Sequence, residues 1–354
     1  MDIKEALSRD FVRVDEVARI LSLALQSGKN VLLWGPAGHG KSEMVAAALA
    51  TAANDSDVYV QSFGEGMDEA TLWGGLDFRK LENDHVLQYF PDNSFLSREY
   101  AVFEELFDAP ASVLLALKDT LTAKKLRKGS QSFAMKTKVI VALTNKAPGE
   151  ISDLGPAAHA LIERFPLQLE VKWPSYGSAD YLELFRKVGP RLKGADLNGQ
   201  ETVLAEVMAK AGESGEIVSP RTAIHAIGVV KAGAALRGAA KVEKQDLLDL
   251  IFLPGMAAFA ANLRQEIDRA TERAQAESNL RVAEAKLAQL LSDLAGADTP
   301  IKALQCAKRL VVFQDDVAQL AVTDGLSDRR KRLRDSVAQK AMEAQQCALD
   351  NTRI

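Results

Sequence analysis

Short apolar runs alternate with amphipathic stretches over roughly the first half of the chain. Val31–Trp34, Val58–Ser62, Tyr100–Phe103, Val139–Leu143 and Leu167–Val171 are runs of the length and composition that predict strands buried on both faces. Between them, Val14–Gln26, Ser42–Ala53 and Ala111–Ala123 repeat their apolar residues at helical spacing and predict helices. Strands alternating with helices predict an α/β fold with a five-stranded parallel sheet. Trp173-Pro174-Ser175 closes this region, because the residue before a proline is turned away from continuing the element.

The pattern then changes. From Ala179 to about Ala257 no strand-like run remains, and helical periodicity is broken at Gly189-Pro190, Gly212–Gly215 and Ser219-Pro220, which predicts a small all-helical domain. After Phe259 the chain is rich in Ala, Leu, Glu, Arg and Gln. Leu263, Ile267, Ala270 and Ala274 fall at 4-3-4 spacing, and Leu280, Leu287, Leu290 and Leu294 follow after a polar gap. Turns at Gly296–Pro300 and Asp324-Gly325 divide the segment into three helices, expected to pack as a bundle or hairpin. The expected domains are 1–173, an α/β core; 174–258, a helical subdomain; and 259–354, a helical appendage.

With 354 residues the chain is long enough for these domains. A formal net charge of −4 argues against a general binder of nucleic acid or membrane surfaces. Cys306 and Cys347 lack metal-ligand spacing and read as reduced thiols. No apolar run approaches the roughly 18 residues of a spanning helix, so a cytoplasmic protein is expected.

Chemistry concentrates at the predicted strand ends. Gly35-Pro36-Ala37-Gly38-His39-Gly40-Lys41-Ser42 fits G-x-x-x-x-G-K-[ST] at every fixed position and lies between a strand and a helix. Such a loop turns backbone N–H groups inward around phosphate, and the following helix adds its positive end. Lys41 is then expected to reach the β- and γ-phosphates and Ser42 to bind Mg²⁺. His39 occupies a free position, with its side chain expected to face solvent. Apolar Ala101-Val102-Phe103 runs into Glu104-Glu105, a carboxylate pair suited to hold Mg²⁺ through water and to polarise the attacking water. "KVIVALTNKAP" ends a buried run at Thr144-Asn145, where an amide can bond phosphate and water. Arg164 precedes the last strand, and Arg221 opens a helix.

The order of these features resembles the AAA+ ATPases, specifically the MoxR family, over about residues 11–250. "NVLLWGPAGHGKS" looks like Walker A, "FEELFDAP" Walker B, "LTNKAP" sensor 1, "LIERFPLQLEVKWPS" the arginine-finger segment and "SPRTAIHAI" sensor 2. "TLWGGLDFRKLENDHVLQYFPDNSF" resembles an insertion that includes a pore-facing hairpin, and a further hairpin is expected before sensor 1. The resemblance implies an AAA+ P-loop core, an all-helical lid and a C-terminal helical appendage. It implies ATP held by Gly35, Pro36, Ala37, Gly38, His39, Gly40, Lys41, Ser42 and Glu43, with Mg²⁺ at Ser42 and Glu104. Glu105 becomes the catalytic acid, Asn145 sensor 1, Arg221 sensor 2 and Arg164 a finger offered to the next subunit. Glu104 departs from the usual Asp, which allows slow hydrolysis. The resemblance also implies a homo-oligomeric ring, usually a hexamer, that remodels or activates a partner such as a von Willebrand factor A domain protein. A nucleotide-controlled assembly switch is the alternative. A DNA-dependent motor would rest on Arg329-Arg330-Lys331-Arg332 and Arg334, a run more simply accounted for by a solvated helix face.

Overall fold

The computed structural model describes residues 2–129, 131–172, 176–213 and 218–350. Trp173-Pro174-Ser175 and the part of the Gly212–Gly215 break beyond Glu213 lie outside the described residues. The chain divides into two compact units, one up to Ala257 and one from Ala258 onward.

The first unit opens with helices α1 (Ile3–Ser8) and α2 (Asp15–Ser27), then β1 (Val31–Trp34), α3 (Lys41–Leu49) and β2 (Val58–Ser62). Helices α4 (Glu69–Leu72) and α5 (Phe78–Asp84) lead to β3 (Tyr100–Glu104) and α6 (Ala111–Ala123). A hairpin of β4 (Lys125–Lys128) and β5 (Gln131–Ala134) precedes β6 (Val139–Thr144), α7 (Pro148–Asp153), α8 (Pro156–Ile162) and β7 (Leu167–Glu170). The five longer-range strands pair in parallel in the order β2-β3-β6-β1-β7.

The interior strands β1, β3 and β6 are apolar on both faces because both faces are covered. The edge strands β2 and β7 fall short of the expected burial: neither has a fully buried residue, and Val60 of β2 is exposed. Alternation along β1 and β6 sends Leu32, Ile140 and Ala142 into one core with α6 and α8. The same alternation sends Val31, Leu33, Val141 and Leu143 into a second core with α2 and α3. Helix α3 ends at Leu49, short of the predicted Ala53, where the Thr51 hydroxyl donates to the Ala48 carbonyl at 2.7 Å.

The hairpin expected in the insertion is not a laddered one. Asp77 Oδ1 accepts from the Arg79 and Lys80 backbone N–H groups and starts helix α5 there. A single antiparallel bridge, Leu76 with Tyr89, closes the loop. The hairpin expected later in the chain is present as β4 and β5.

Helices α9 (Ser178–Val188), α10 (Gln200–Glu213) and α11 (Pro220–Leu236) follow, with a 3₁₀ stretch at Lys244–Phe252. Ser219 caps α11, its side chain accepting from the Thr222 N–H at 3.2 Å, and Pro220 occupies the first turn.

The second unit holds α12 (Ala257–Ala295, beginning at the junction), α13 (Pro300–Ala318) and α14 (Ser327–Asp350). Leu280, Leu287 and Leu290 of α12 share a core with Leu310, Phe313 and Val317 of α13 and Leu333, Val337 and Ala341 of α14. The earlier 4-3-4 run behaves differently: Leu263 is buried, Ile267 half-buried, and Ala270 and Ala274 exposed. Helix α12 has 39 residues and α13 only 19, so within this unit α13 can flank about half of α12. Arg329 makes a two-pronged pair with Glu284, and Arg330 donates to the Leu320 carbonyl, so part of the basic run serves packing within the unit. Among the described residues, no helix is long and apolar enough to cross a membrane.

Candidate functional site

Three neighbouring strands end on the candidate residues. The glycine-rich loop follows β1, Glu104 ends β3, and Asn145 follows β6; β3, β6 and β1 are adjacent in the sheet. In open α/β sheets the carboxyl ends of the strands form the crevice where ligands bind.

The loop is tied to its neighbours on both sides. The Gly35 N–H donates to the Thr144 carbonyl at 3.2 Å, and the Val171 N–H donates to the Trp34 carbonyl at 2.7 Å. Gly35 has φ of 139°, and a methyl group there would overlap the Val171 carbonyl, so only glycine fits. Gly38 has φ of 80°, and a methyl would come within 2.7 Å of the Ser219 hydroxyl at the start of α11. The Arg221 N–H donates to the Gly38 carbonyl at 3.2 Å, so α11 begins directly against the loop.

Lys41 is buried and lies in the first turn of α3. Its Nζ donates to the Gly35 carbonyl at 2.6 Å, the Pro36 carbonyl at 2.9 Å and Asn145 Oδ1 at 2.9 Å. Burial pulls the ammonium below its ordinary pKa, with the Glu105 carboxylate acting the other way and the Arg221 charge adding to the lowering. Asn145 Nδ2 in turn donates to Glu105 Oε1 at 2.8 Å. A continuous chain of hydrogen bonds therefore runs Lys41–Asn145–Glu105. Glu105 stands in the left-handed region at φ 51°, where a side-chain-bearing residue is uncommon and turns the chain sharply out of β3.

Glu104 points elsewhere. Its Oε2 accepts from the Ser62 hydroxyl at 3.1 Å, matching the Ser62–Glu104 register of β2 and β3. It shares a groove with Ser42, Glu43 and Asp55, lined otherwise by apolar residues such as Val58, Val60 and Ala46.

His39 departs from expectation. It is only 9% exposed, and its Nδ1 lies 3.1 Å from the Ala37 carbonyl, within the loop's own turn. Desolvation, together with the Lys41 charge, lowers its pKa, while the bonds to the Ala37 and Pro36 carbonyls raise it. The loop's compactness folds the ring inward where sequence spacing alone suggested solvent.

Arg221 is brought to the loop and Arg164 is not. Arg221 lies 4.0 Å from Glu43, both well exposed. Arg164 Nε donates to the Thr122 hydroxyl at 3.0 Å, and the Arg164 carbonyl accepts from Asn30 Nδ2 at 3.1 Å. Asn30 directly precedes β1, so Arg164 lies at the amino ends of the strands, opposite the loop.

A cavity of about 370 Å³ adjoins Gly38, His39 and Gly40. Phe11, Val12, Tyr176, Leu184, Ile224 and His225 are among the residues that wall it, and sequence reasoning passed over them. The available signal was local: Phe11-Val12 is an apolar pair just before α2, and Ile224 and His225 lie one turn beyond Arg221. Among the described residues, no group of three or more His, Cys, Asp or Glu side chains could hold a metal ion by itself.

A glycine-rich loop between a central parallel strand and a helix, with acid and amide on the next two strands, defines a P-loop α/β fold. The family profile for the MoxR domain in the MoxR-vWA-beta-propeller ternary systems matches residues 1–209. The chain belongs to the MoxR family of AAA+ ATPases. Among solved structures it is similar to a Cytophaga hutchinsonii protein provisionally named an ATPase, at 18% identity and TM-score 0.40, covering 71% of this chain and 84% of that one. It is also similar to NtrX from Brucella abortus in complex with ATP, at 10% identity and TM-score 0.45, covering 62% of this chain and 49% of that one. The chain thus spans about half the length of that NtrX chain.

Proposed function

We propose that the protein is a Mg²⁺-dependent ATPase that works as a homo-oligomeric ring, on the hexameric pattern, and remodels or activates a partner protein. The observation that carries this reading is the Lys41–Asn145–Glu105 hydrogen-bond chain across the ends of β1, β6 and β3. Lys41 would exchange a backbone carbonyl for phosphate oxygen. Glu105 would take the proton of the attacking water, with Asn145 orienting both. Bound Mg²⁺ would offset phosphate charge, held by the Ser42 hydroxyl and, through water, by Glu104. The common groove of these two side chains supports that assignment. The loop from Gly35 to Glu43 would carry the phosphates, and the cavity beside it would take the base and ribose. Helices α9–α11 would act as the lid, with Arg221 as its phosphate sensor.

Arg164 supports the ring. A four-residue strand spans about 13 Å, and Arg164 sits at its far end from the loop, so it would serve a neighbour's site rather than its own. An arginine supplied in trans is worth about 10³–10⁵ in rate in related phosphoryl transfers. The family description names ternary systems with a von Willebrand factor A domain and a β-propeller, which supports a partner of the first kind for this chain. We assign residues 259–354 as the partner-docking appendage and the cytoplasm as the compartment.

Phosphate release from Mg-ATP tests the site. Lys41→Ala should weaken nucleotide binding, and Glu105→Gln should keep binding but stop turnover. Undiminished hydrolysis by both purified variants would overturn the assignment.

A further inference from the structure

Two segments far apart in sequence wall the cavity beside the phosphate loop: residues 10–12, ahead of α2, and helix α9 with Tyr176 before it. Several contacts tie them together. Arg13 Nε donates to Asp180 Oδ1 at 3.0 Å, and its terminal nitrogen donates to Oδ2, a two-pronged pair. The Arg13 guanidinium carbon lies 5.4 Å from the centre of the Tyr176 ring. Lys187 Nζ donates to the Phe11 carbonyl at 2.9 Å, and Arg191 pairs with Asp10.

The pair is built from both sides. Arg13 has a left-handed backbone, φ 57°, which a residue with a side chain keeps only where its surroundings hold it. Asp180 is fixed by the Gly177 N–H, which donates to Oδ2 at 2.9 Å at the start of α9. Tyr176 is buried, and its ring also packs edge-on against Tyr181. Fully exposed ion pairs contribute little, but this one is forked, stacked on a buried ring and with its carboxylate only 20% exposed.

We propose that Arg13 is a positioning residue for nucleotide: through Asp180 and Tyr176 it fixes residues 10–12 against α9 and holds together the cavity that receives the base and ribose. This rests on the nucleotide reading of the loop. Pyrophosphate needs only the loop, whereas ADP needs the loop and the cavity, so the clasp acts on one ligand and not the other. A general loss of stability would weaken both.

The test is calorimetric titration of the full-length protein with ADP and with pyrophosphate. Arg13→Ala should weaken ADP about 10-fold and leave pyrophosphate within about 2-fold, and Arg13→Lys should recover part of the ADP loss. Asp180→Asn keeps an oxygen for the Gly177 N–H but loses the charge, and should match Arg13→Ala. The double variant should be no weaker than either single one, since both remove the same contact. Unchanged ADP affinity in Arg13→Ala, parallel loss of both ligands, or additive losses in the double variant would overturn the proposal. Pyrophosphate binding that survives Lys41→Ala would instead overturn the phosphate-loop reading on which it rests.

Discussion

The side-chain amide of Asn145 joins Lys41 to Glu105, accepting from the Lys41 ammonium at 2.9 Å and donating to the Glu105 carboxylate at 2.8 Å. Its removal leaves the Lys41 charge one acceptor short and lets the Glu105 carboxylate swing. Under the proposed mechanism that costs orientation at the transition state more than ground-state binding. Asn145→Ala should lower kcat by about 10²-fold, the order seen when one oriented polar group is removed from an active site, with KM within about 3-fold. Steady-state phosphate release measures both; a rise in KM at unchanged kcat would place Asn145 in binding alone.

Glu104 tests the metal assignment. Its carboxylate leans on Ser62 and faces the groove that Ser42 shares. Shortening it by one methylene keeps the charge, so Glu104→Asp should hold activity within about tenfold or raise it. Glu104→Ala removes the charge and should abolish most turnover and its Mg²⁺ dependence. An inactive natural protein rescued by Glu104→Asp would favour the assembly-switch reading, in which turnover is incidental.

What was legible beforehand follows from locality. Strand β1 and helix α6 were readable to the residue, because a strand buried on both faces and an amphipathic helix each write their environment into their own composition. The loop was readable because its glycines answer local backbone demands. The inward turn of His39 was not, since it depends on how the loop closes on the Ala37 carbonyl. Helix α5 fills the arm of the expected hairpin, leaving only the Leu76–Tyr89 bridge at its base, because one side chain, Asp77, captures two backbone N–H groups. The cavity wall was hidden because Phe11, Tyr176 and Ile224 meet only through tertiary packing.

Acid should weaken the fold through His39. Burial lowers its folded-state pKa below the ordinary 6.5, so between the two values the unfolded chain binds the extra proton and the folded one does not. Stability therefore falls as pH drops below about 6.5 and is regained as pH rises through that window. His39→Asn, which can still donate to the Ala37 carbonyl, should flatten the pH dependence of Tm over this range relative to the natural protein. Superimposable Tm–pH curves would show that the ring makes no such contribution.

Arg164 should act between subunits. It is anchored through Thr122 and Asn30 at the amino ends of the strands, away from the loop of its own chain. Arg164→Ala alone and Lys41→Ala alone should each lose most activity. Under the proposed ring, mixed assemblies would contain some interfaces with an intact Lys41 on one side and an intact Arg164 on the other, and these should recover part of it. Mixing must be verified by tagged pull-down. Verified mixed rings with no recovery would rule out a shared site.

The last prediction concerns the second unit. Every residue proposed to touch nucleotide or metal, from Gly35 to Arg221, and every wall of the adjoining cavity belongs to the unit that ends at Ala257. The second unit carries its own core, in which Leu287 and Leu290 of α12 meet Leu310 and Phe313 of α13 and Val337 of α14. Ion pairs between its helices, Lys286 with Asp316 and Arg309 with Asp293, hold the same register. A unit with its own core can be removed without leaving a cavity in the nucleotide site. Deleting residues 262–354 should therefore leave a folded protein that binds ADP within about 3-fold of the full chain, because no proposed ligand contact is lost. Under the docking role proposed above, the truncated protein should also remain a ring and hydrolyse ATP, yet fail to capture a von Willebrand factor A domain partner that the full chain captures. Size measurement, phosphate release and partner pull-down separate the outcomes. A truncated protein that is monomeric and inactive would make residues 262–354 an assembly element and overturn their role in docking.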